Sequence, residues 1–459
     1  MPYRRSQFFI FSLILAFFIQ NWIEGSIYEY VSVFLLSFYL LSFVDSIGND
    51  YQVNQIPILF SIFQLLIMPM VVYRLYNEDK TVIALFYNMT VSETEYYGFM
   101  VPAVLAMIIG IELLLMKSKT RQIILQNTFT NTRVYLQGKS IIGIVLMTVG
   151  LISGFVSPFL PAGFDYLGYL LGKLLFVGIF YVICSEIRNK NLYIIIGVSA
   201  LLIQTIINGM FGELIYTSLL GLILLMIGNK KSFSFKMLLL IVGVTSILIL
   251  QSIKGEYRSY AWYGRGDMSR SSTEVFFNLI LERITNPQLF FDREKNFAFV
   301  VRFNQGMLQT KVMNYVPRIR PYAEGETILK SIAASFVPRF LWPDKPMAGG
   351  HWNMEYFTGL IISGYSMNIG PFGEAYGNFG SQGGIYFMFF YGLFFNLAFY
   401  LILRIAQTRP TIILWVPVLF INSIQIETDI LMTVNSLIKN GIFVALCYWF
   451  TDRFMRLKI

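Results

Sequence analysis

Apolar stretches of membrane-spanning length recur along this chain, and they limit its fold more than any other feature. A helix needs about 20 apolar residues to cross the hydrocarbon core of a bilayer. Such stretches fall at about 7–23, 27–44, 56–76, 98–117, 140–160, 165–185, 191–208, 211–228, 236–253, 384–404, 411–425 and 434–450. Lipid offers no partner to a free backbone N–H or C=O, so continuous runs of this kind read as helices. The expected fold class is an all-α polytopic membrane protein with about twelve transmembrane helices. With 56% of its residues hydrophobic and 13% charged, the chain does not read as a soluble domain.

The charges then orient the bundle. With the N-terminus inside, the even-numbered connections carry Lys117, Lys119, Arg121, Arg133 and Lys139, then Arg188 and Lys190, then Lys230, Lys231 and Lys236, then Arg404 and Arg409. The tail adds Arg453, Arg456 and Lys458, whereas the short connections on the other side, about 161–164, 209–210 and 426–433, hold no basic residue. This bias places both termini in the cytoplasm. One even connection, about 45–55, is acidic and does not contribute. The net charge of +9 follows from the same bias and does not point to a nucleic-acid partner. Arg4 and Arg5 precede an apolar run without a small-residue cleavage site, so the first run reads as a retained helix. Cys184 and Cys447 lie in apolar stretches and read as packing residues rather than a disulfide. His351 is the one histidine, so no metal and no cofactor are expected.

Between the ninth and tenth spans lies the one long segment that lipid cannot hold. The expected organisation is a membrane bundle over 1–252, an external loop over 253–383, and membrane helices over 384–459. Short amphipathic helices are expected inside the loop. Ser271 and Glu274 form a capping-box pattern before Val275, Phe276, Leu279, Ile280 and Ile284, and Asn286-Pro287 ends that run. A second helix is expected from about Glu326 to Val337, stopped by Pro338. Gly349-Gly350 and the stretch Gly370 to Gly384 read as loop, where glycines allow close approach to a ligand.

The loop holds nine arginines and five lysines. Arginine offers paired donors to phosphate, so Arg302, Arg318, Arg320, Arg339 and Lys345 are the candidate anion ligands. Arg339 stands within Pro338 to Pro346, a rigid Pro- and aromatic-rich frame. Glu374, between Gly373 and Ala375, is the leading general base, with His351 in reserve. Trp342, Trp352 and Tyr322 offer aromatic faces to a glycan, and Trp262 and Tyr356 add to them. Lys173 sits inside an apolar stretch, where an ionisable side chain is a functional candidate paired with Glu112 or Glu213.

These residues carry a resemblance. Arg302-Phe303-Asn304, Tyr322 to Thr327, Pro338 to Pro346 and Gly370 to Gly380 together resemble the loop of the O-antigen or oligosaccharide repeat-unit polymerases of the Wzy type. The likeness covers about 80 residues well, and the first nine spans match in general character only. It implies a metal-independent membrane glycosyltransferase of the GT-C-like kind in a bacterial cytoplasmic membrane. Its donor and acceptor would be polyprenyl-pyrophosphate-linked oligosaccharides. The arginines and Lys345 would hold pyrophosphate, and a chain-length regulator would be a partner. Two other readings stand beside it: an O-antigen ligase, with the same architecture and donor but a lipid-core acceptor, and, from a different class, a transporter of polysaccharide or lipid-linked oligosaccharide with the basic loop as an outside gate.

Overall fold

The computed structural model describes residues 2–76, 87–113, 115–116, 118–160, 165–209, 211–229, 231–264, 271–286, 288, 300–337, 341–346, 349–361 and 367–455. Among these residues there is helix and no strand. The first half holds α1 (Pro2–Ile23), α2 (Ile27–Ser46), α3 (Gln55–Leu75), α4 (Glu93–Glu112), α5 (Ser118–Leu136) and α6 (Ser140–Val156). There follow α7 (Asp165–Gly172), α8 (Leu174–Cys184), α9 (Lys190–Asn208), α10 (Phe211–Met226) and α11 (Phe233–Tyr263). The long polar segment contributes α12 (Ser272–Thr285), α13 (Gly306–Tyr315), α14 (Glu326–Phe336) and α15 (His351–Thr358). The chain closes with α16 (Gly370–Thr408), a 3-10 turn at Pro410–Trp415 leading into α17 (Val416–Phe420), and α18 (Ile430–Phe450).

Each of the twelve apolar stretches falls on helix. Among the described residues, eight helical stretches are long and apolar enough to cross a membrane, and the pair α5 and α6, bent by 93°, makes a ninth when counted as one span. α5 occupies a connection that carries basic residues. It buries Leu125, Phe129 and Leu136, leaves Lys119 and Arg133 exposed, and turns Arg121 inward. The acidic connection near 45–55 is neutralised from neighbouring elements. Arg4 pairs with Asp45 at 2.9 Å, and Arg121 of α5 pairs with Asp50.

Glycines let the helices approach closely where no hydrophobic drive operates. A Cβ on Gly110 of α4 would lie 2.1 Å from the Phe389 carbonyl oxygen of α16, and one on Gly392 would lie 2.2 Å from that of Met107. Asn396 locks the same crossing, its amide donating to the Leu113 carbonyl at 2.6 Å. α6 meets α8 in the same way, since a Cβ on Gly150 would lie 2.0 Å from the Leu175 nitrogen.

Local signals in the polar segment hold. The Ser271 hydroxyl accepts from the Glu274 N–H at 3.1 Å and opens α12, and α14 ends with Val337 extended ahead of Pro338. Two expectations change. The ninth span does not stop near residue 253, because α11 continues to Tyr263, where the Trp262 indole donates to the Asn208 carbonyl at 3.1 Å. The stretch Gly370 to Gly384 is not a loop but the first turns of α16, broken only at Gly380, where φ is +68°. Packing overrides the low helix propensity of glycine here. Gly373 faces Gln309, Gly377 faces the Phe357 ring and Gly384 faces Phe99, each too close for a side chain.

Replacing Gly392 with leucine is expected to cost about 1–3 kcal/mol through overpacking at the α4–α16 crossing. Thermal unfolding in detergent measures it. Gly98→Leu, on α4 at a position with open space around it, serves as the control with little change.

Candidate active site

The site forms where the polar segment meets the short connection between α17 and α18. Glu374, in the first turns of α16, is 0% exposed. Its Oε1 accepts from the Ile430 N–H at 2.8 Å, and its Oε2 has no hydrogen-bond partner among the described residues. Within electrostatic range of it is Asp429, 1% exposed, which caps α18 by accepting from the Met432 N–H. Asp429 also accepts from the Gly349 N–H at 3.4 Å, so the turn ahead of α15 closes over it. Burial pushes the Asp429 carboxyl up from its ordinary value. The Met432 amide, the Asn368 side chain and the amides of Gly349 and Gly350 pull it part of the way back.

A cationic face lies beside this acid pair. Arg302, 48% exposed on its side chain, meets Glu427 at 3.6 Å, and Gln305 donates to the same carboxylate at 3.3 Å. Lys254 of α11 lies within electrostatic range of Arg302, Arg258 and Glu427. Basic side chains from two distant segments, Arg302 and Lys254, therefore converge on one carboxylate.

A groove of about 550 Å³ leads away from the pair along α18. Phe336, Val337, Leu431, Ile438 and Ile442 give it an apolar lining. Lys345, Lys439, Tyr166, Asn422 and Asn435 supply its polar atoms. Leu431 and Met432 line the groove and follow Asp429 directly, so groove and acid pair are continuous along the chain. An apolar trough with cations in its wall suits a molecule with a lipid chain and an anionic head.

The sequence candidates fall into distinct places. Arg302 belongs to the cationic face. Lys345 lines the groove and also holds the end of α14, its Nζ donating to the Ala334 and Val337 carbonyls at 2.8 and 2.9 Å. Arg339 lies outside the described residues, although Val337 and Lys345 on either side of it in sequence both line the groove. Arg318 points elsewhere, to Asn314 at 2.9 Å and Glu95 at 3.5 Å. Arg320 is engaged by Tyr356, lying 3.9 Å over its ring and donating to its carbonyl at 3.0 Å. Trp352 stacks on the other side of that system, 4.9 Å from Tyr356, and is 38% exposed. Together they form an aromatic platform on α15. Tyr322 is half-buried against Gly380 and Tyr376, and Trp342 is half-buried near Lys345. His351 opens α15 as an exposed residue one position after Gly350. Lys173 pairs with Glu213 rather than Glu112.

Glu427, Asp429 and Lys439 were not among the sequence candidates. Asp429 ahead of an apolar run is an N-cap signal, and it was legible as such. Among the described residues no group of three or more His, Cys, Asp or Glu side chains could hold a metal ion.

These features define an all-helical protein of the multi-pass membrane kind, with a buried acid pair at the start of α18 and a lined groove along that helix. Residues 60–400 match a family described as a domain of unknown function, DUF8712, and the chain belongs to that family. No curated protein and no solved structure matches the chain. The matched stretch includes Arg302, His351 and Glu374, and Asp429 and Lys439 lie beyond its end.

An acid whose folded pKa exceeds its unfolded one binds more protons when folded. The Asp429 contribution is therefore full below the ordinary value of about 4 and falls as pH rises toward the raised folded value. Asp429→Asn keeps the cap and removes the titration. Its melting temperature is expected to fall less than that of the wild type as pH rises above about 4.

Proposed function

We propose that this protein is a membrane glycosyltransferase that extends a glycan on a polyprenyl pyrophosphate carrier. The observation that carries the reading is the groove beside α18, which combines an apolar lining with two lysines in its wall. In this reading the polyprenyl chain lies along Phe336, Val337, Ile438 and Ile442. Lys345, Lys439 and Arg302 hold the pyrophosphate, and Arg339 is proposed from the sequence as a further ligand. The Trp352–Tyr356 platform takes the sugars, flanked by Tyr322 and Trp342, with Arg320 stiffening it from beneath.

The reaction exchanges one bond for another. The acceptor hydroxyl oxygen bonds to the anomeric carbon of the donor glycan, and the bond from that carbon to the pyrophosphate oxygen breaks. The leaving polyprenyl pyrophosphate keeps the electron pair. Fixed cations stabilise that developing charge without reorganising. His351 takes the acceptor proton, because it is exposed where substrate arrives. Glu374, expected from the sequence as the base, is fully covered and acts as a positioning residue that fixes the start of α18.

The topology belongs to the same proposal. α1, α6, α10 and the Pro410–Phe420 stretch join the eight long apolar helical stretches to make twelve spans. Both termini then face the cytoplasm, the polar segment lies on the outer side of a bacterial cytoplasmic membrane, and the chain-length regulator meets it there.

The test is a reaction in detergent with purified protein and a polyprenyl-pyrophosphate-linked repeat unit, resolved by gel. A ladder of products is expected, with rates lowered on the order of 10²-fold in Arg302→Ala and in His351→Ala. Substrate that binds without bond cleavage contradicts the proposal and favours a transporter. Transfer that occurs only onto a lipid-core acceptor contradicts polymerisation and favours a ligase.

A further inference from the structure

A second cavity lies among α6 to α10, lined by residues separate from those of the α18 groove and the Arg302 face. It measures about 240 Å³ and sits at the break between α7 and α8. Lys173 occupies that break, is 8% exposed and pairs with Glu213 of α10. The Tyr169 ring lies 4.2 Å from its Nζ. Gln204 and Asn208 of α9 and Thr217 of α10 also line the space. The Gln204 Nε2 is buried and has no hydrogen-bond partner among the described residues.

Three features together point to a ligand. Ionisable and amide side chains cost free energy inside an apolar bundle and are kept there when they serve a site. The buried Gln204 donor leaves a hydrogen bond to be made. The mouth is open, because Glu213 and Asn208 are exposed at the end where the α9–α10 turn lies.

We infer that this cavity binds a single neutral sugar ring. The Lys173–Glu213 pair carries no net charge, so a charged occupant would upset a balanced pair in a low-dielectric setting. Hydroxyl groups can both donate and accept, which matches ammonium, carboxylate and amide partners at once. The volume falls below the range of about 300–1,000 Å³ that drug-sized ligands occupy, which limits the occupant to one ring. The cavity neighbours the α18 groove, since Tyr166, which lines the groove, stacks on Tyr169 at 5.9 Å. The inference goes beyond the glycosyl-transfer reading and needs no bond cleavage.

Saturation-transfer NMR on the full chain in nanodiscs tests it, with methyl glycosides of glucose, galactose, mannose and N-acetylglucosamine as probes and inorganic phosphate as the charged comparison. Gly172 lines the cavity and has open space around its Cβ position, so Gly172→Leu fills the cavity and leaves the ion pair in place. Gln204→Leu removes the unpaired donor and is the second variant. At least one glycoside is expected to bind the wild type, about tenfold more weakly in either variant, with the melting temperature held. Three results overturn the inference: no glycoside signal, a signal that survives both variants, or phosphate binding lost in Gly172→Leu while no glycoside binds.

Discussion

The contact between the Glu374 carboxylate and the Ile430 amide holds the site end of this protein together. It ties the first turns of α16 to the first turn of α18 inside a region that excludes water. Four N–H groups at a helix start lack partners within the helix, and burial makes each one costly. Glu374 satisfies one and Asp429 another, so two acids carry the start of α18. The register of α18 then fixes where Leu431, Ile438 and Ile442 stand, and these residues wall the groove. The same junction holds the turn at Gly349, and through it α15 with its aromatic platform.

Asn378 extends this order into the polar segment. Its side chain accepts from the Gly325 N–H and donates to Thr327 and to the Glu374 carbonyl. The Ala323 N–H reaches the Gly377 carbonyl at 3.0 Å. The start of α14 is therefore pinned to α16 by polar contacts, and α14 supplies the opposite wall of the groove. Buried polar networks of this kind hold one arrangement because every alternative strands a donor or an acceptor.

Much of the fold was legible because its causes are local. Long apolar runs must be helical in lipid, and among the described residues eight are helices long enough to span it. Ser271 and Pro338 act on their own neighbours, and α12 and α14 begin and end where those residues dictate. Gly370 to Gly384 misled for the opposite reason. Its glycines answer to Gln309, Phe357 and Phe99, side chains from remote segments that no local pattern reveals. The site divides in the same way. The residue types stood out in the sequence as arginines, a lysine and aromatics gathered in one polar segment. Their employment did not. Arg320 lies on Tyr356, Arg318 turns to Glu95, and Glu374 lies buried under the start of α18. Glu427 and Asp429 escaped notice because a short connection between two apolar runs looks like a simple turn.

The central claim is that the groove along α18 receives the lipid chain of an anionic carrier. Photo-crosslinking with a polyprenyl pyrophosphate bearing a diazirine in its chain, followed by peptide mass spectrometry, tests this most directly. The account predicts crosslinks to the 334–337 stretch and to α18 between Leu431 and Ile442, suppressed by excess unlabelled carrier. Crosslinks spread over the outward-facing helices, with none in the groove, would contradict it.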